Sequence, residues 1–131
     1  MVGIVVASHG EFCEGLKGST EMIQGVIPQC MAVALRPGDE PDSYGELLCQ
    51  AVKSVDDGQG VLILVDLRGG TPFNRSLMLA RDHNVIIVVG ANLPMLLSVS
   101  LARNEESTLE ELASIAENEA KESIGILKYT G

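Results

Sequence analysis

Short apolar segments alternate with amphipathic segments along most of this chain. Three of the amphipathic segments have apolar residues every three or four positions, as expected of helices that pack on one face. Strands followed by helices in this repeated order predict an α/β fold, with four mostly parallel strands and helices on the faces of the sheet. The predicted strands, which are short and rich in β-branched residues, are Gly3–Ala7, Met31–Leu35, Val61–Val65 and Val85–Val89. The predicted helices between them are Glu11–Ile23, Asp42–Val55 and Pro72–Arg81.

The pattern after the fourth strand predicts two more helices and one more strand. The helices are Leu93–Ala102 and Thr108–Glu122, and the second has a capping box formed by Ser107 and Glu110. A last apolar stretch, Ile124–Tyr129, predicts a short strand at the end of the chain. Because all connections have the length of ordinary loops, the pattern predicts no linker between domains.

The size and composition of the chain are those of one small domain with an aliphatic core. Its 131 residues fit a single domain, which we expect to span 1–131. Hydrophobic residues make up 46% of the chain but aromatic residues only 3%, a balance that suits buried parallel strands. No apolar run reaches the ~18 residues of a membrane span, and the N-terminus lacks the features of a signal peptide. We therefore expect a cytoplasmic protein.

Charge and cysteine content narrow the classes of ligand. The net charge of −9 argues against nucleic acid or an anionic membrane as the main ligand and favours a basic protein partner. The cysteines Cys13, Cys30 and Cys49 are odd in number and widely spaced. This spacing indicates neither a disulfide framework nor a zinc site, so we expect reduced thiols, no metal and no cofactor.

Residues that can carry chemistry follow the first and third predicted strands. Open parallel sheets bind ligands beyond the carboxyl ends of their strands. His9 lies at this edge after the first strand, and Asp66–Asn74 occupies the same place after the third. If these two strands are neighbours, as in flavodoxin-like sheets, both segments face one crevice.

The chemistry of these residues is that of a nucleophilic histidine beside an oxyanion site. An imidazole is nucleophilic when one ring nitrogen is unprotonated and an acceptor holds the other, and Asp66 can be that acceptor. Gly69 and Gly70 leave the backbone free to approach an oxyanion. Their amides, the Thr71 hydroxyl and a helix begun by Pro72 would form a phosphate cradle.

Ordinary structural roles also explain each of these residues when they are taken singly. A histidine after a strand is most often structural or exposed, and the Gly-Gly-Thr-Pro run alone is a turn into a helix. Only their joint placement favours a site. His83 is expected in an exposed turn, Cys13 as a small buried residue, and the acidic run Glu105–Glu119 as a solvated helix face.

Four segments give the chain a close resemblance to a known family over nearly its whole length. They are Gly3–Gly10, Arg36–Pro41, Asp66–Asn74 and Gly90–Leu96. The chain resembles the IIA component of the mannose, fructose and sorbose family of the bacterial phosphoenolpyruvate-dependent sugar phosphotransferase system. A D-x-x-G-G-[ST]-P-F-N run combined with an early S/T-H-G is specific to this family.

The resemblance implies a fold, an assembly and a reaction. The fold is a doubly wound parallel sheet, and the protein is a homodimer in which the C-terminal strand is exchanged and lies antiparallel on the partner's sheet. The histidine-containing phosphocarrier protein would phosphorylate His9, and a IIB component would receive the phosphoryl group. Asp66 would orient His9, with the phosphate on the ring nitrogen remote from it. Thr71 would be a hydroxyl ligand, and Gly10, Gly69 and Gly70 would complete the phosphate site.

Two positions depart from the family pattern. Position 68 is commonly apolar or aromatic but is Arg68 here, and it would either bind phosphate or affect carrier docking. Position 13, commonly small, is Cys13. Because the sequence has one domain, we expect the IIB component to be a separate polypeptide and the membrane to be reached only through the transporter complex.

Three alternative functions remain open at this point. Within the family's relatives, the phosphoryl-donor subunit of dihydroxyacetone kinase has a similar first domain but usually lacks the G-G-T-P-F-N run. A histidine phosphatase would require an arginine directly before the histidine, where this chain has Ser8. A non-catalytic regulatory binding module, with His9 a relic, would take up no phosphate from phosphoenolpyruvate, enzyme I and the phosphocarrier.

Overall fold

Four parallel strands form the centre of the molecule in a computed structural model that describes residues 1–131. The strands are Gly3–His9 (β1), Cys30–Leu35 (β2), Val61–Val65 (β3) and Val85–Val89 (β4). Their order in the sheet is β2-β1-β3-β4, with every neighbouring pair parallel. The two central strands are therefore β1 and β3, which confirms the four-stranded α/β sheet and makes the carboxyl ends of these strands adjacent.

Five helices cover both faces of this sheet. They are Phe12–Gln24 (α1), Pro41–Val55 (α2), Gly70–Leu79 (α3), Leu93–Ala102 (α4) and Leu109–Glu122 (α5). Alternate residues of each strand point to opposite faces. Ile4 and Val6 of β1 pack with α1, α4 and α5 in one core, whereas Val5 and Ala7 pack mainly with α2 in the other. None of the helices has both the length and the apolar character needed to cross a bilayer.

Most predicted elements are present, and the differences lie at their ends. The bounds of β3, β4 and α4 are as predicted, whereas β1 continues to His9 because it stays paired with β2 up to Leu35. Helix α3 begins at Gly70 rather than Pro72 and ends at Leu79, so the proline lies inside the first turn instead of starting it.

The predicted capping box of the last helix was one residue too early. The hydroxyl of Thr108 accepts from the Glu111 amide at 3.1 Å and caps α5. The Ser107 hydroxyl instead accepts from the Asn104 amide at 3.0 Å, within the preceding turn. Both residues suit a cap by type, and the turn before the helix decides which of them is used.

The predicted C-terminal strand is not formed within this chain. Residues after Ser123 have no regular secondary structure, and Ile126 and Leu127 are 100% and 97% exposed. Helix α5 ends at the carboxyl edge of the sheet, where Ser123 Oγ lies 3.5 Å from Asn92 Nδ2. A strand requires a ladder partner, and the residues after Ser123 make no backbone hydrogen bond to another strand.

A buried arginine ties the amino edge of the sheet together. Arg103 follows α4 and is 9% exposed. Its guanidinium donates to the carbonyl oxygens of Val2 (2.7 Å), Gln29 (3.4 Å) and Pro28. It has no carboxylate in contact, so these carbonyls compensate the buried charge. This cluster lies at the opposite end of the sheet from His9 and is structural.

Candidate functional site

His9 and Asp66 are brought together at the carboxyl edge by the two central strands. His9 is the last residue of β1, and Asp66 directly follows β3. Asp66 Oδ2 accepts from the His9 backbone amide at 2.9 Å and lies 2.9 Å from the ring nitrogen Nδ1. Its other oxygen accepts from the Leu67 amide at 2.9 Å. The carboxylate that contacts the ring is thus itself held by two backbone amides, those of His9 and Leu67.

This pairing determines which ring nitrogen of His9 can react. A carboxylate accepts only, so Nδ1 must carry the proton and Nε2 keeps its lone pair in the neutral ring. The His9 side chain is 46% exposed and that of Asp66 only 13%. The carboxylate is therefore largely covered, while nearly half of the imidazole side chain is exposed to solvent.

The start of α3 passes close to this nitrogen. Gly70 has φ +81°, and a Cβ built on it would lie 2.8 Å from His9 Nε2 and 2.9 Å from Cε1. Only glycine leaves the space beside Nε2 open while adopting this left-handed backbone. The first residue of α3 thus lies beside the Nε2–Cε1 edge of the ring, a proximity that the sequence pattern does not reveal.

The same helix start offers unpaired hydrogen-bond donors. The amides of Gly69, Gly70 and Thr71 donate to no acceptor within the chain, as expected for the first turn of a helix. Thr71 is the partly exposed second residue of α3. Free amides at a helix N-terminus attract anions. A phosphoryl group on Nε2 would lie beside them.

Gly10 differs from the other predicted phosphate-binding glycines. Its φ of +58° turns the chain from β1 into α1, and its amide donates to the Leu35 carbonyl at 2.7 Å. Because this donor is already used, Gly10 contributes the turn after His9 rather than a free amide.

Arg68 lies towards the outer edge of the site. Its guanidinium carbon is 6.0 Å from the centroid of the Phe73 ring, within cation–π range. It also lines a cleft of about 670 Å³ with residues of β4 and α5, including Lys121, and with Ile124 just after α5. Arg68 thus lies between the carboxyl edge of the sheet, where His9 is, and the side of β4 that pairs with no other strand.

The other residues considered from the sequence lie outside the site or are structural. Cys13 is fully buried, and burial raises the pKa of its thiol, so it is the small core residue that was predicted. His83 lies between α3 and β4 at the amino edge, with Nε2 4.0 Å from Cys49 Sγ. No group of three or more histidine, cysteine or acidic side chains is arranged to hold a metal ion.

One residue beside the site was not identified from the sequence. Ser8 is fully buried, and its hydroxyl contacts the backbone on the far side of His9, at Gly10 and Cys13. The available signal was a small hydroxyl residue in an otherwise apolar strand, directly before the histidine.

Comparisons with known proteins identify relatives of this chain. Residues 3–117 match the model of a family described as the PTS system fructose IIA component, where PTS denotes phosphotransferase system. The chain is 35% identical over 113 residues to the fructose-specific EIIA component of Bacillus subtilis (strain 168). That match covers 86% of this chain and 77% of the relative.

A longer relative and a solved structure extend the comparison. The chain is 30% identical over 128 residues to the mannose-specific EIIAB component of Escherichia coli (strain K12). This match covers 97% of the chain but only 40% of that protein, so the chain spans about two-fifths of that relative's length. The fold is similar to the crystal structure of a phosphotransferase system EIIA component from Streptococcus agalactiae. There the TM-score is 0.88 at 29% identity, covering 96% of this chain and 97% of that chain.

Proposed function

The chain belongs to the family of phosphotransferase-system fructose IIA components, and we propose that it is a phosphocarrier that takes a phosphoryl group on His9 Nε2. The donor is the histidine-containing phosphocarrier protein, and the acceptor is a IIB component of a sugar transporter. The observation that supports this most directly is the 2.9 Å contact between Asp66 Oδ2 and Nδ1, which leaves Nε2 free.

The proposed transfer moves one phosphoryl group between two imidazoles. The Nε2 lone pair attacks the phosphorus of the carrier's phosphohistidine, a new N–P bond forms, and the donor's N–P bond breaks. The proton on Nδ1 stays in place, so the phosphorylated ring is a cation hydrogen-bonded to Asp66. A carboxylate stabilises such a cation as it does in the serine-protease triad. In the transfer to the IIB component, a nucleophile of that component attacks the phosphorus and the His9 Nε2–P bond breaks, which returns Nε2 its lone pair.

The start of α3 would bind the transferred group. The free amides of Gly69, Gly70 and Thr71, together with the Thr71 hydroxyl, can donate to phosphoryl oxygens at Nε2. These donors are fixed by the helix before the reaction and need no rearrangement. Gly10 supports the site by turning the chain after His9.

The partners are proposed from charge and exposure. A protein of net charge −9 would dock a basic carrier face, and the exposed Phe12 (48%) and Leu67 (50%) follow His9 and Asp66 in the chain. Arg68 lies next to Leu67 and would contact either the phosphate or the carrier.

We expect docking in the cytoplasm, with the rate of transfer at subsaturating carrier falling as added salt screens the attraction. A flat salt response would indicate apolar docking instead.

The test of the phosphocarrier role is labelling with radioactive phosphoenolpyruvate, enzyme I and the phosphocarrier. We expect one acid-labile, base-stable phosphoryl group per chain and none in His9→Ala. His83→Ala is the matched control, because it removes the other histidine of the chain and should be labelled normally. Undiminished labelling of His9→Ala, or no labelling of the wild type, would exclude the proposal.

We further propose a homodimer with exchanged C-terminal strands. The outer side of β4 is an open sheet edge, and Ile124, Ile126 and Leu127 are exposed in the single chain. Pairing 124–129 antiparallel with the β4 edge of a second copy would cover both. Sedimentation should show a dimer for the full chain and a monomer or aggregate after truncation at Ser123. A full-length monomer at micromolar concentration, or a truncated dimer of equal stability, would contradict the exchange.

The alternatives considered from the sequence are less well supported. The relatives reported above are IIA or IIAB components of sugar phosphotransferase systems, which disfavours a dihydroxyacetone-kinase subunit. A purely regulatory binding module would not need the ring nitrogen Nε2 to be free, and the labelling experiment distinguishes it.

A further inference from the structure

We propose that Ser8 is a positioning residue for phosphoryl transfer, acting through the turn that follows His9. This inference rests on the proposed phosphocarrier role of His9. Ser8 is fully buried at the end of β1, and it is polar in a strand whose other buried residues are apolar or glycine. Burying a hydroxyl is costly unless it is hydrogen-bonded, and the Ser8 hydroxyl makes two hydrogen bonds that compensate this cost.

The first contact replaces a missing helix cap. Glu11, the N-cap residue of α1, makes no side-chain cap hydrogen bond. The Cys13 amide, in the first turn of the helix, instead donates to Ser8 Oγ at 2.8 Å. A side chain that accepts from a first-turn amide stabilises the helix start. Here the accepting group comes from the strand before the turn, so it joins the end of β1 to α1 across His9.

The second contact holds the turn itself. Ser8 Oγ donates to the Gly10 carbonyl oxygen at 3.1 Å, and the Cys13 thiol lies 3.9 Å from the same oxygen. Gly10 has φ +58°, so its carbonyl direction depends on this left-handed conformation. One hydroxyl therefore fixes both the carbonyl after His9 and the first turn of α1.

Together, Ser8 and Asp66 hold His9 from both sides. Asp66 binds the His9 amide and Nδ1 from β3, whereas Ser8 fixes the backbone that follows. Nε2 must remain beside Gly70, where a Cβ would lie only 2.8 Å away. Small misplacements of a reacting group have large kinetic effects, about 10²-fold for about 1 Å. Release of the turn should therefore slow the chemical step without removing any group that touches phosphate.

The test compares Ser8→Ala with a control that removes another buried hydroxyl from the same β1–α1 unit. Thr20 is fully buried near the far end of α1, and its hydroxyl donates to the Leu16 carbonyl at 2.8 Å. Ser8→Ala should lower kcat for transfer from the phosphocarrier at least tenfold with KM for the carrier unchanged. Thr20→Val should keep the wild-type kcat, and Ser8→Thr should recover most of the loss because it retains the hydroxyl.

The outcomes separate this inference from the proposed function. A wild-type chain that takes no phosphoryl group contradicts the phosphocarrier role. If the wild type transfers phosphate normally, three results contradict only the role of Ser8. They are a wild-type kcat in Ser8→Ala, an equal loss of kcat in Thr20→Val, and a kcat in Ser8→Thr as low as that in Ser8→Ala. If Ser8→Ala does not fold, Ser8→Cys fills the same space with weaker hydrogen bonds. It should then show an intermediate kcat, and wild-type kcat in Ser8→Cys would also overturn the inference.

Discussion

Replacing Gly70 by alanine would test whether the space beside His9 Nε2 is needed for phosphoryl transfer. The added Cβ would lie 2.8 Å from Nε2, about 0.6 Å inside the 3.4 Å at which ordinary van der Waals contact begins. The ring must therefore shift or tilt. Because Nδ1 is held by Asp66 at 2.9 Å, a shift of this size would lengthen that hydrogen bond, and a ring that does not shift would leave the Cβ in the space beside Nε2 that a phosphoryl group needs.

The magnitude of the effect follows from these distances. A hydrogen bond to a charged group contributes about 1.5–3 kcal/mol, and misplacing a reacting group by about 1 Å costs about 10²-fold in rate. We therefore expect Gly70→Ala to slow phosphorylation of His9 by about 10²-fold. A left-handed backbone also costs a non-glycine residue about 1–2 kcal/mol, so the variant should be less stable by a similar amount.

A matched variant separates steric blocking from backbone strain. Gly25 has φ +96°, has open space around its Cβ position and lies after α1 at the amino edge of the sheet. Gly25→Ala should also lose stability to urea, because φ +96° and ψ −177° suit glycine alone, yet be phosphorylated at the wild-type rate in rapid-quench assays. Wild-type transfer in Gly70→Ala, or an equal slowing in Gly25→Ala, would refute the steric reasoning.

Three further predictions concern the orienting carboxylate, the buried arginine and a buried thiol. Asp66→Asn removes the charge at nearly constant shape, so we expect a folded protein with slowed phosphoryl transfer in rapid-quench kinetics. Wild-type rates would show that Asp66 is only a strand-end residue. Arg103→Met leaves the carbonyls of Val2 and Pro28 without a donor, whereas the Gln29 carbonyl keeps the Ile4 amide at 2.9 Å. We expect the free energy of unfolding in urea titration to fall by about 2–4 kcal/mol, and a loss below 1 kcal/mol would contradict a structural role. Burial raises the pKa of the Cys30 thiol from 9.0 to about 11, so the unfolded chain loses this proton at lower pH than the folded protein does. The free energy of unfolding should therefore fall as pH rises from 9 to 11, and it should fall less in Cys30→Ala. Equal slopes in both proteins would contradict the burial effect.

The sequence alone predicted the elements and the types of residue at the site. Continuous β-branched runs with clear flanks set β3 and β4 to the residue, because strand and helix periodicity depends on chain neighbours. The same reasoning identified His9, Asp66 and the glycines as residues at one sheet edge. It was less exact at helix starts, where Gly70 and Thr108 begin α3 and cap α5, because several neighbouring residues there suit a cap.

The tertiary structure decided which of these residues touch and which elements form. The strand order β2-β1-β3-β4 brings His9 within 2.9 Å of Asp66, which is 57 residues away in the chain, and no local pattern encodes that distance. The proximity of Gly70 to Nε2 and the hydrogen bonds of Ser8 also arise only when strand, turn and helix are packed. Conversely, Ile124–Tyr129 has the composition of a strand but forms none here, since a strand requires a partner edge as well as suitable residues.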